Sequence, residues 1–167
     1  MPNWCSNNLN LSHKDPAMIS RAKTAFEEGT FFNEFVPLPE EQKDNWYDWH
    51  CENWGTKWDA AEGFIGMEAS NELELGFDTA WGPPIAFYKK LEEQGFEVSA
   101  SYYETGMCFI GEYADGTDEC YEYDFADDEW RNHLPEHIAE QLESEYEMWL
   151  EYREGEKAFE EEEQEEA

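Results

Sequence analysis

The feature that most constrains this chain is where its charge lies. Of 167 residues, 42 are acidic and 10 basic, a net of −32, and the excess grows toward the C-terminus. From Glu112 onward there are 23 carboxylates against Arg131, Arg153 and Lys157, whereas the first 111 residues hold 19 acidic and seven basic residues. High net charge alone does not make a chain disordered when it has enough large apolar side chains for a core. The material is there: 8 Trp, 9 Tyr and 11 Phe, with 40% of residues hydrophobic, enough large apolar surface to offset the repulsion. The expected organisation is a single domain over residues 1–158 and a disordered acidic tail over 159–167, because the closing run from Glu160 is low-complexity and self-repelling.

Periodicity then orders the elements. Cys5, Leu9 and Leu11 share one face of a strand. Asp15-Pro16 opens a helix with an apolar stripe through Met18, Ile19, Ala22 and Phe26, stopped at Gly29. Phe31 to Leu38 is a short apolar stretch, and Glu40 to Glu62 reads as an aromatic-stapled insertion with little regular structure. The clearest strand follows, with Leu73, Leu75, Phe77, Thr79 and Trp81 on one face and Glu72, Glu74 and Asp78 on the other. Pro83-Pro84 starts a second helix carrying Phe87, Tyr88 and Leu91, Gly95 ends it, and Phe96, Val98, Ala100 and Tyr102 point inward from the next strand. Met107 to Tyr113 and Glu119 to Phe125 pair as a hairpin across Asp115-Gly116. A last helix begins near Pro135, striped by Leu134, Ile138, Leu142, Tyr146 and Trp149.

The opening Met1-Pro2-Asn3-Trp4-Cys5, the block Asn53-Trp54-Gly55-Thr56-Lys57-Trp58-Asp59 and the block Phe77-Asp78-Thr79-Ala80-Trp81-Gly82-Pro83-Pro84 together resemble the YubB-type ferredoxin-like family of phage and plasmid proteins, over about residues 1–113. The resemblance implies an α+β fold: a ferredoxin-like antiparallel sheet with helices on one face, here joined by an aromatic-rich insertion and an acidic C-terminal hairpin and helix. It implies no activity and carries no catalytic residues, but it implies a mobile-element context in which small proteins act on host machinery.

Charge excludes several functions. A field of this sign repels nucleic acid and anionic membrane and draws in basic proteins. Salt adaptation would spread acidity over the whole surface, whereas this excess is concentrated near one end and is Glu-rich. The expected partner is a basic nucleic-acid-binding host protein, with no direct nucleic-acid binding, no membrane association and no cofactor. The carboxylates expected to face it are Glu112, Asp115, Asp118, Glu119, Glu122, Asp124, Asp127, Asp128, Glu129, Glu140, Glu143 and Glu147. From Glu136 on, a helix would carry one net charge per about 4 Å, against one per about 1.7 Å for duplex DNA. Imitating a duplex therefore requires the hairpin as well.

Other chemistries are weaker. His133-Leu134-Pro135-Glu136-His137 matches the H-x-x-E-H zinc-protease pattern, with Glu140 or Glu143 as a third ligand, but proline inside the motif marks a helix start. This gives the alternative function, a zinc-dependent hydrolase; an acidic scaffold protein is a third. His50 and Cys51 with Cys108 or Cys120 could hold zinc, although scattered cysteines are more often small buried hydrophobes. Trp46, Trp49, Trp54 and Trp58 with Lys57 could stack bases, but their segment is acidic where such platforms need a basic groove. The N-terminus lacks a basic n-region and apolar h-region, and no apolar run would span a bilayer, so the protein is expected in the host cytoplasm.

Overall fold

Strand β1 (Trp4–Ser12) alternates as expected, burying Cys5, Asn7, Leu9 and Leu11. These side chains face a layer of helices, and β1 lies at the centre of a six-stranded sheet of order β2-β3-β1-β4-β5-β6. The computed structural model describes the backbone of residues 1–166 and the side chains of residues 1–161. The other strands are β2 (Ala61–Glu68), β3 (Glu72–Ala80), β4 (Glu97–Glu104), β5 (Phe109–Ala114) and β6 (Thr117–Glu122). β1 pairs antiparallel with both β3 and β4, and β2 with β3. With helix α1 (Pro16–Glu27) between β1 and β2 and helix α4 (Ile85–Glu93) between β3 and β4, the first four strands have the βαββαβ order of a ferredoxin-like sheet. The protein is α+β, with β5 and β6 extending one edge.

The chain divides into two compact units, Met1–Tyr121 and Glu122–Ala167, where one domain over residues 1–158 was expected. The core of the first unit joins Leu9, Leu11, Leu73, Leu75 and Phe77 of the sheet to Ile19 and Ala22 of α1 and to Phe87, Tyr88 and Leu91 of α4. The opposite face of the sheet is polar. There Ser6 donates to Asp78 (3.0 Å) and Ser12 to Glu97 (3.0 Å), both across neighbouring strands.

Helix starts and stops follow local chemistry. Asp15 caps α1, its carboxylate accepting from the Ala17 N–H at 2.9 Å, and Pro16 fills the first turn. Helix α4 ends at Gly95, whose φ of +90° suits glycine. At Asp115-Gly116 both residues have positive φ, +49° and +76°, which gives the tight primed turn that joins β5 to β6.

Between α1 and β2 the structure differs from expectation. Phe31–Phe35 forms α2, Glu40–Asn45 a 3-10 turn and Trp46–Asn53 α3, and β2 follows, so the insertion is largely regular. Strand β2 has no apolar alternation in its sequence because both its faces are mostly exposed. Trp81 also departs from the strand face assigned to it: it lies just past β3, with φ +71° and 54% exposure.

Phe125, Trp130, Tyr146 and Trp149 centre the second unit, with ring centroids 5.1 to 5.9 Å apart around Phe125. Ile138, Ala139 and Leu142 are buried. The single expected helix is two, α5 (Glu136–Gln141) and α6 (Glu143–Glu166), broken at Leu142. The backbone of α6 continues through 159–166, where a disordered tail was expected; Ala167 and the side chains beyond Glu161 lie outside the described residues.

One close packing in the first unit makes a test. A Cβ on Gly111 of β5 would collide with the ring and hydroxyl of Tyr102 and come within 2.6 Å of the Glu119 carbonyl oxygen. Gly111→Ala is therefore expected to destabilise the protein by about 1–3 kcal/mol in denaturant unfolding, with the largest rise in amide exchange in β5 and β6.

Candidate functional site

The acidic positions fall into three groups. On the β5–β6 hairpin, Glu112 is half-buried, while Asp115, Asp118 and Glu119 are exposed. Asp118 accepts a 2.6 Å hydrogen bond from the Tyr102 hydroxyl. Burial, then this carboxylate, holds that phenol far above its usual range, so it stays a donor. Along the segment entering the second unit, Glu122, Asp124, Asp127, Asp128 and Glu129 are exposed. Two of these shape turns: Asp124 accepts from the Ala126 N–H and Asp127 from the Glu129 N–H, each at 2.9 Å.

On the helices, Glu140 and Glu147 are exposed. Glu143 is not a free anion. Arg131 holds it with two nitrogens, at 2.7 and 2.5 Å, and that hydrogen bonding draws the carboxyl below its usual range. The same guanidinium lies 4.7 Å from the Trp130 ring centre and 5.0 Å from that of Tyr146, so this surface pair is held against the unit's rings and the Glu143 charge is offset locally by Arg131. Helix α6 has 12 carboxylates in its sequence against Arg153 and Lys157. Discounting those two bases and the Glu143 pair leaves one net charge per about 4 Å of a helix about 36 Å long. Phosphates along one DNA strand are spaced about 3.4 Å apart.

The H-x-x-E-H segment lacks the geometry its chemistry needs. His133 closes a 3-10 turn, Leu134 and Pro135 are extended, and Glu136 only begins α5, so the two histidines do not occupy one helical face. His133 Nε2 lies 3.2 Å from Asp127 Oδ2. Among the described residues no group of three His, Cys, Asp or Glu side chains could hold a metal ion. Of the cysteines only Cys5 is buried. Burial, reinforced by Glu104, pushes its thiol up to about 12, which makes it inert. Cys51 and Cys120 are exposed and Cys108 is half-buried, unlike the buried hydrophobes expected.

A further site joins blocks that are distant in sequence. Trp81 donates its backbone N–H to the Asn3 carbonyl (2.8 Å), Thr56 its hydroxyl to the Ala80 carbonyl (2.9 Å) and Thr79 its hydroxyl to the Gly82 carbonyl (2.7 Å). Gly55, at φ +84°, lies so close to α4 that a Cβ would sit 3.2 Å from the Ile85 nitrogen. These contacts hold up a shelf of exposed rings: Trp4, Tyr47, Trp58 and Trp81. Trp4 and Trp58 have centroids 6.0 Å apart, and Lys57 Nζ sits 4.4 Å from the Trp58 ring centre and 5.4 Å from that of Tyr47. A tryptophan in the left-handed region is a strained residue. Sequence reasoning singled out Trp58 and Lys57 but not Trp4, Tyr47 or Trp81. The signal was that three Trp-containing blocks recur in one short chain.

Fold and surfaces together define a class: an α+β protein with a ferredoxin-like sheet, an exposed aromatic shelf and an acidic helical unit. No family model and no curated protein matches the chain. Among solved structures it is similar to the crystal structure of a protein api92 from Yersinia pseudotuberculosis, of the DUF1281 family, at 11% identity and a TM-score of 0.46, over 74% of this chain and 99% of that one. No helix among the described residues is long and apolar enough to cross a membrane.

Proposed function

We propose that this protein is a non-enzymatic inhibitor of the phage or plasmid type, acting in the host cytoplasm by occupying the nucleic-acid site of a basic host protein. The observation that carries the reading is α6, whose net charge along its axis comes close to the phosphate spacing of one nucleic-acid strand. Within the same unit, exposed Asp128 and Glu129 add charge of the same sign. Recognition by a basic groove then needs no base contacts, because most of the affinity for polyanions is sequence-independent.

The test is capture and release. Immobilised full-length protein is offered a nuclease-treated bacterial lysate. Captured protein is expected to be released by a short DNA duplex and by raising salt from about 50 to about 200 mM. Glu147→Lys with Glu154→Lys should reduce capture by slowing association, since steering acts on the on-rate. No capture, or capture that survives both DNA and salt, overturns the proposal.

The strained Trp81 favours a second surface, the aromatic shelf. If Trp58→Ala with Trp81→Ala abolishes capture while the charge reversal leaves it intact, the shelf is the interface and nucleic-acid mimicry fails.

A further inference from the structure

Helix α6 has an apolar seam that nothing among the described residues covers. Met148, Tyr152 and Phe159 are 56%, 65% and 63% exposed. Together with Gly155 they follow the 4-3-4 spacing of a coiled-coil stripe. At about 100° per residue these four positions fall within about 60° of one another around the helix, while Trp149 and Tyr146, which pack on Phe125, point about 90° and about 150° from the centre of that arc. The seam is therefore a separate face from the one that builds the unit's core.

Gly155 adds a second observation. Nothing lies within 4 Å of where its Cβ would be, so no packing demands glycine there, yet glycine weakens an exposed helix interior by about 1 kcal/mol. Its effect is a notch between the Tyr152 and Phe159 rings, bounded by Glu151, Glu156 and Glu160. A notch flanked by two rings is the kind of hole a partner side chain fills as a knob.

Charge selects the occupant. Glu147 and Glu151 border the seam on one side and Glu156 on the other, the last accepting a 2.7 Å hydrogen bond from the Tyr152 hydroxyl. Both bases of α6 lie on the far side, with Arg153 4.7 Å from the Trp149 ring centre. A second copy of this chain would set these carboxylates against their equals, which is unfavourable at flanking coiled-coil positions. We infer that the seam docks a basic amphipathic helix of a partner protein, its apolar stripe on Met148, Tyr152 and Phe159 and its lysines or arginines against Glu147, Glu151 and Glu156. This rests on the reading above for the sign of the partner's charge and adds the structural element recognised.

The test uses full-length protein and a labelled synthetic 21-residue peptide with Leu at the seam positions of each heptad and Lys beside them, followed by fluorescence anisotropy. A scrambled peptide of the same composition separates shape from charge, and a Glu-flanked peptide tests the sign. The Leu/Lys heptad peptide is expected to bind at least about tenfold more tightly than either. Tyr152→Ser with Phe159→Ser should weaken it at least about tenfold, and circular dichroism should keep its helix signal because both side chains are exposed. Equal binding of the scrambled peptide, or self-association of the protein abolished by the same two substitutions, overturns the inference. Lysate capture separates the two claims. If captured protein stays DNA-displaceable and indifferent to Tyr152→Ser with Phe159→Ser, the seam proposal falls alone; if it resists DNA while the heptad peptide still binds, the nucleic-acid reading falls and the seam stands.

Discussion

Replacing Trp54 with alanine is expected to destabilise the first unit by about 3–5 kcal/mol, lowering its melting temperature by roughly 10 °C or more. Trp54 is 3% exposed, so its loss opens a cavity between helices and sheet. Its indole packs edge-on against Phe32 at 5.6 Å and stacks on His50 at 3.7 Å between centroids, and its N–H donates to the Val36 carbonyl at 2.9 Å. Truncation leaves that carbonyl without its donor. Trp58→Ala provides the contrast. It exposes its ring beside Trp4 and should cost less than about 1 kcal/mol. Urea unfolding of both variants decides the matter: equal costs would show that the two tryptophans form one surface staple, not a core residue and a shelf residue.

Removing the Asp59 side chain should cost about 2–4 kcal/mol. The N-cap residue of α2, Thr30, makes no side-chain cap, and Asp59 caps this helix from 26 and 27 positions away, accepting from the N–H groups of Phe32 (2.8 Å) and Asn33 (3.0 Å) and from that of Ala60 (2.8 Å). Asp59→Ala strands those donors. Asp59→Asn keeps the oxygen that serves Phe32 and Ala60 and loses one bond, for a cost within about 1 kcal/mol. Burial raises the Asp59 carboxyl above its ordinary range, against the lowering by these three hydrogen bonds. A raised folded-state pKa means that the native state binds the proton more readily. Stability from this group is therefore greatest below the unfolded pKa and falls as pH rises through the folded one. Asp59→Asn removes that slope, so its cost relative to the natural protein should shrink as pH rises from about 4 toward 7 in urea titrations. An unchanged difference across that range would show that Asp59 does not titrate in the folding transition.

Elements with one buried face were legible in the sequence. β1, α1, β3, α4 and β4 each show a period of 2 or 3.6 because a single face meets the core, and Asp15-Pro16, Gly95 and Asp115-Gly116 mark ends through backbone preferences that no distant contact has to supply. The acidic character of α6 is likewise local, since charge along a helix follows from sequence alone. Tertiary structure decided the rest. β2 shows no alternation because its strand character comes from pairing with β3. Glu143 reads as one more surface acid, and only folding brings Arg131 to it. Trp54 and Trp58, four residues apart, part company because α3 ends at Asn53, which turns one ring into the core and leaves the other on the surface. The shelf of Trp4, Tyr47, Trp58 and Trp81 exists only where β1, the α3 segment and the end of β3 meet. No local pattern specifies that meeting, because the sheet order that creates it arises from long-range strand pairing.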